Sequence, residues 1–138
     1  MFEFRLQRVL EYRERLEGWA KDTYLDSRAA RLETEAGIHE LRMRRGDLLE
    51  NTPTDLNSRT ALEATLLHLD DGERSQNVVL KVLLNEEVTA LNAWHLTKRD
   101  LETLVRLREA ALEEYKLEEN RREQAELDEW AVLRRKAA

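Results

Sequence analysis

The chain has 138 residues, 38% of them charged and 41% apolar, with four Gly, one Pro and no Cys. Without Cys there is no disulfide framework and no thiol chemistry, and a net charge of −6 argues against a general nucleic-acid binder. The Leu-, Glu-, Arg- and Ala-rich balance favours long helices or a coiled coil, and apolar residues at helical spacing argue against disorder. The N-terminus lacks the apolar core of a secretion signal, and no 18-residue apolar run is long enough to span a bilayer. A cytoplasmic protein without direct membrane insertion is the expectation.

The first helix is predicted over about residues 4–50. Phe2, Val9 and Leu16 repeat every seven residues, with Leu6 and Ala20 between, whereas Leu25, Ala29, Leu32 and Ala36 step by four, three and four. These stripes are out of register, which predicts a stutter near residues 20–25. Gly18, Gly37 and Gly46 each weaken the helix by about 1 kcal/mol relative to Ala and leave close packing or bending open. Pro53 then stops the helix, and Thr54 or Asp55 is placed to cap the next one.

A short connecting helix is predicted over about 57–69, with Leu62, Leu66 and Leu69 on one face, ending in a turn at 70–73 around Gly72. The third helix is predicted over about 75–136. Residues 73–138 contain no Gly and no Pro. Its seam reads Leu80, Leu84, Leu91, Trp94, Leu101, Val105, Leu112 and Tyr115, with Glu87, Lys98 and Arg108 at seam places. The seam fails after Tyr115. The implied fold class is all-α: a long antiparallel two-helix coiled coil, an α-hairpin with a short connecting helix, in a single domain over 1–138. Such pairing places Phe2, Phe4, Leu6 and Val9 near Leu117, Ala125 and Leu127, with the last turns lying against them or overhanging.

The acidic excess is not at the ends. Residues 1–21 carry a net +1 and residues 116–138 a net 0, so 22–115 carry −7. Densely charged, balanced ends suit specific ion pairing with a surface, and they equally suit two solvated helix ends. Glu118 and Arg122 form a favourable i,i+4 pair, and Arg134, Arg135 and Lys136 complement a helix C-terminus. Trp130, beyond the seam, reads as an interface anchor or as packing against Phe2 or Phe4.

Sites for chemistry are not apparent. His39 follows Glu35 by four residues, but no Glu-x-x-His pair accompanies it, so a four-helix di-metal site lacks its ligands. There is no phosphate-binding loop, and no Ser stands beside a His. Carboxylates on a thin rod are not desolvated, so no general acid is implied. No cofactor and no enzymatic activity are expected.

Two segments carry a resemblance. The run FEFRLQRVLEYRE over 2–14 resembles the start of the flagellar FliJ family. Asn120-Arg121-x-x-Gln124 followed by Leu127-Asp128-Glu129-Trp130-Ala131 resembles its C-terminal end. The resemblance implies a coiled coil of the flagellar type III export apparatus, similar to the central stalk of rotary ATPases. Its implied partners are a hexameric export ATPase, the cytoplasmic part of the export gate membrane protein, and export chaperones. The implied location is peripheral, at the membrane-associated apparatus. Carried over by residue, the ATPase-facing set is Phe4, Arg5, Leu6, Val9, Tyr12 and Arg13 with Asn120, Arg121, Gln124, Leu127, Asp128, Glu129 and Trp130. Arg122 and Glu123 lie inside the motif at less defined positions. Two other readings stay open: a stalk subunit of a rotary ATPase or virulence secretion system, and a structural coiled coil that dimerises through its seam.

Overall fold

The computed structural model describes residues 1–137, and among these there is no strand. Two helices account for almost all of the chain, α1 (Gln7–Glu50) and α2 (Leu56–Ala137). They contribute to two compact units, a hairpin unit Gly18–His95 and a terminal unit built from Met1–Glu17 and Leu96–Ala138.

In the hairpin unit, Asn51 to Asp55 reverse the chain. Asp55 immediately precedes α2, accepts a 3.3 Å bond from the Ser58 hydroxyl, and its carbonyl receives the Arg59 amide at 2.9 Å. Arg59 Nε also donates to the Pro53 carbonyl at 3.1 Å, tying the turn to the first turn of the helix. Of the two candidate caps, Asp55 is the one at the N-cap position.

The separate connecting helix is not formed. Residues 70–73 are helical, and α2 runs through Gly72 without interruption. A helical Gly costs about 1 kcal/mol relative to Ala, but its neighbours are held. Leu69 is buried, Arg45 pairs with Asp70 at 2.9 Å, Arg42 Nε donates to Glu73 at 2.7 Å, and Leu41 touches the Gly72 site. Together these cross-helix contacts outweigh one unfavourable propensity. The Arg45 Nε–H is not aligned with the Asp70 oxygen, so that contact is ionic and not a hydrogen bond.

The seam of this unit differs from the apolar stripes. The sheltered positions of α1 here include Ala20, Tyr24, Ser27, Arg31, Thr34, Ile38, Leu41, Arg45 and Leu48, in unbroken steps of four and three. No stutter occurs within the unit. Leu25, Leu32, Ala29 and Ala36, the predicted stripe, are exposed. On α2 the sheltered set includes Leu62, Leu66, Leu69, Glu73, Gln76, Leu80, Leu83, Glu87, Ala90 and Trp94, again in steps of four and three. Leu80, Glu87 and Trp94 of the predicted seam hold their places; Leu84 gives way to Leu83, and Leu91 shares its turn with the more deeply buried Ala90.

Polar residues occupy this seam because they find partners across it. Tyr24 stacks on Trp94 at 5.5 Å. Arg31 grips Glu87 with both its Nε and Nη2, and its Nη1 donates to Glu35 at 3.1 Å. Hydrogen bonding to Glu87 holds the Arg31 guanidinium still more firmly protonated. A two-point Arg–carboxylate pair at a seam position fixes which residues can face each other more than it adds stability.

Gly18, Gly37 and Gly46 neither accommodate a close approach nor adopt positive φ, since an added Cβ at each meets nothing within 4 Å. Substituting Ala at all three should therefore stabilise the protein by about 0.5–1 kcal/mol per site. Thermal unfolding followed by circular dichroism should show a rise of several degrees; a fall would mean the glycines serve a bend.

Candidate functional site

The terminal unit holds every residue of the expected partner-facing set. Its chain start is not helical. Phe2, Glu3 and Phe4 lead into a turn closed by the Gln7 amide on the Phe4 carbonyl at 3.1 Å, and α1 begins at Gln7, three residues later than predicted. The N-terminal segment lies antiparallel to α2. Arg13 bonds Asp100 at 3.2 Å, and eleven residues earlier in the chain the Phe2 ring meets Tyr115 at 5.5 Å. Arg108 stands over the Phe2 ring as well, 5.8 Å from its centroid. Leu10 is buried beneath. The sheltered positions of α2 here include Thr97, Leu101, Leu104, Arg108, Ala111 and Tyr115, and Lys98, a predicted seam place, is half-buried in the same turn as Thr97. Leu101, Arg108 and Tyr115 match the predicted seam. Val105 is replaced by Leu104, and Leu112 shares its turn with Ala111.

Beyond Tyr115 the pairing fades, and from Asn120 to Ala137 no side chain is sheltered. Met1, Phe2, Phe4 and Leu6 line a groove of about 670 Å³ with Leu107, Ala111, Tyr115 and Glu118. From Asn120 to Ala137 every residue is exposed. At 1.5 Å per residue this is a bare helix about 27 Å long. Of the two placements open for the last turns, overhang is the one adopted. Phe2, Phe4, Leu6 and Val9 accordingly do not reach Ala125 or Leu127. Phe4, Arg5 and Leu6 border the groove, Val9 and Tyr12 face solvent, and Arg13 is engaged with Asp100.

The overhang is organised locally. Arg122 pairs with Glu119 at 2.5 Å, three residues back, and not with Glu118. The Gln124 amide donates to Asp128 at 3.3 Å. Arg121 makes no ion pair or hydrogen bond among the described residues, so its charge is open to a partner. Trp130 does not pack on Phe2 or Phe4; it is 59% exposed, with the Arg134 guanidinium 4.9 Å from its ring.

Two residues belong with this surface that the motif did not include. Val132 and Leu133 are exposed, and with Ala125, Asp128 and Glu129 they border a shallow groove, while Glu123, Glu126, Leu127 and Trp130 border another. Their signal was the unbroken apolar run 130–133 after a polar stretch. What the arrangement offers is an apolar strip on a rigid helix, edged by charge. Such a strip is suited to contact with another protein surface. No helix of the described residues is long and apolar enough to cross a membrane.

Comparison with known proteins gives one result. A family model described as Flagellar FliJ protein matches residues 1–137, essentially the whole chain. No curated protein matches, and no solved structure matches.

Proposed function

The chain belongs to the flagellar FliJ family, and we propose that within the flagellar export apparatus it works as a stalk whose terminal unit inserts into a hexameric export ATPase. The observation that carries this reading is the bare helix from Asn120 to Ala137, which has neither a seam nor a covering segment yet displays Leu127, Trp130 and Leu133. A helix so exposed gains little from its own protein and is stabilised on entering a ring of other subunits. In this reading the nucleotide chemistry belongs to the partner and the chain is not catalytic. Links to the cytoplasmic part of the export gate and to export chaperones complete the role, which places the protein in the cytoplasm at the membrane-associated apparatus.

The test is a charge reversal at the tip. Arg121→Glu with Asp128→Lys removes two candidate interfacial pairs, each worth about 2–5 kcal/mol if buried and much less at a rim. Both side chains are exposed, so helicity should be unchanged. Stimulation of the ATPase in a reconstituted mixture should fall at least tenfold. The control Glu63→Lys, exposed near the start of α2, should stimulate as wild type does. If Glu63→Lys abolishes stimulation and the tip variant does not, the working surface belongs to the hairpin unit.

A further inference from the structure

In the hairpin unit α1 leaves an apolar stripe outside its pairing with α2. Leu25, Ala29, Leu32, Ala36, His39 and Met43 follow one another in alternating steps of four and three, on the face opposite the sheltered seam. All six are exposed, Leu25 at 42%, Leu32 at 47% and Met43 at 56%. The charges beside this stripe are sorted. One border, spaced by seven, is Asp26, Glu33, Glu40 and Asp47; the other is Lys21, Arg28, Glu35 and Arg42. Arg28 and Glu33 have no opposite charge three or four residues away on α1, and neither makes an ion pair among the described residues.

We propose that this stripe binds the same stripe of a second copy of the chain, parallel and in register, as a two-stranded coiled-coil seam. A two-fold axis parallel to the helices sets each stripe residue against its own copy. In such a seam a residue of the Lys21 border faces the residue five further along on the partner's acidic border. Arg28 then faces the partner's Glu33, and Lys21 the partner's Asp26. Each pair occurs twice, as an isologous interface requires. Arg42 faces the partner's Asp47 while it also holds Glu73. The one like-charged level is Glu35 against the partner's Glu40, and there Arg31 already holds the Glu35 carboxylate at 3.1 Å. Antiparallel pairing instead brings each border against itself. The all-acidic row Asp26, Glu33, Glu40 and Asp47 then meets its own copy, which is repulsive along its length. The sorted borders thus fit a second copy of the chain, in one direction.

The seam is short. It spans about 27 Å at 1.5 Å per residue, and Leu25, Leu32 and Met43 are its large apolar side chains, with Ala29 and Ala36 between them. That places it at the low end of specific interfaces. The dimer is therefore weak, dissociating on the order of 100 μM, and it forms where copies are locally concentrated. The pairing does not rest on the ATPase reading. It uses the hairpin unit alone and engages none of the residues from Asn120 to Ala137.

Sedimentation equilibrium of the full chain over a concentration series tests it. Wild type should pass from monomer to dimer. Arg28→Glu alone and Glu33→Arg alone should each weaken association about tenfold or more. The double swap should return it to within about twofold of wild type, because positions 28 and 33 again carry opposite charges across the seam. Residues five apart on one helix do not face each other, so this rescue reports an intermolecular contact. Leu32→Asp should abolish the dimer while leaving the circular dichroism of the monomer unchanged. Direction is read by Met43→Cys, which gives the chain its only thiol. A short bismaleimide should link it to its copy in a parallel pair, whereas in an antiparallel pair centred on the stripe the two thiols lie about 27 Å apart. A chain monomeric at about 1 mM would assign the stripe to a different protein and overturn the proposal. A dimer that survives Leu32→Asp, a double swap as weak as the singles, or a dimer that the bismaleimide does not link would each overturn it as well.

Discussion

Ile38→Asp should unfold the hairpin unit, whereas Leu32→Asp should lower its melting temperature only slightly. Both substitutions place a carboxylate on α1 where a large aliphatic stood, and both lose similar helix propensity, about 0.5 kcal/mol. They differ in surroundings. Ile38 is 4% exposed and sits on the sheltered three-four alternation; Leu32 is 47% exposed and lies off it. A charge at position 38 is stripped of water without a dedicated partner, at a cost of several kcal/mol. That is a large share of the roughly 5–15 kcal/mol typical of whole proteins. At position 32 the carboxylate stays hydrated. Thermal denaturation by circular dichroism reads the difference. A larger loss for Leu32→Asp would restore the stripe of Leu25, Ala29, Leu32 and Ala36 as the true seam.

That comparison bears on what the amino-acid order could reveal. Helical class, the break at Pro53 and the alternate seam places Leu80, Glu87, Trp94, Leu101, Arg108 and Tyr115 are legible in composition, breaker placement and heptad spacing. The seam of α1 is not, because Ser27, Arg31, Thr34 and Arg45 interrupt its apolar places. Arg31 and Arg45 read as surface until Glu87 and Asp70 are known to stand opposite them, and a single helix's pattern carries no information about the helix it will meet. Apolar residues outside the seam then mislead: Leu25, Ala29, Leu32 and Ala36 form a plausible stripe and are all exposed. The turn expected at Gly72 failed for a related reason. Local propensity is worth about 1 kcal/mol there, and the pairs Arg45–Asp70 and Arg42–Glu73, with buried Leu69, act from both sides of it. At the tip the amino-acid order marks where the pairing ends, since a seam that stops is visible as such. Whether the stretch beyond it folds onto the N-terminal segment depends on the register of the pairing, which sets Phe2 beside Tyr115. Helix spacing does not report that register.

Removal of residues 120–138 should leave thermal stability almost unchanged and reduce stimulation of the ATPase to near its basal rate. The first half of this expectation rests on exposure: from Asn120 to Ala137 no residue is sheltered, while Leu10, the Phe2–Tyr115 contact and the Arg13–Asp100 pair all lie within the part that remains. Deleting solvated helix removes backbone hydrogen bonds and local pairs such as Arg122–Glu119, which bring only tenths of a kcal/mol each to the rest. The second half rests on where a partner's binding energy would come from. A single Trp anchor is commonly worth about 2 kcal/mol or more, about thirtyfold in affinity, and the deletion takes Trp130, Leu127, Leu133 and Arg121 together. Trp130→Ala should accordingly fall between wild type and the deletion. The stimulation that survives truncation measures the share carried by the chain start, since Phe4, Arg5, Leu6, Val9 and Tyr12 are retained. Full stimulation by the truncated chain would move the working surface to that N-terminal groove. A large drop in melting temperature would mean that the tip packs against the protein, and the bare helix would no longer be available to carry the stalk reading.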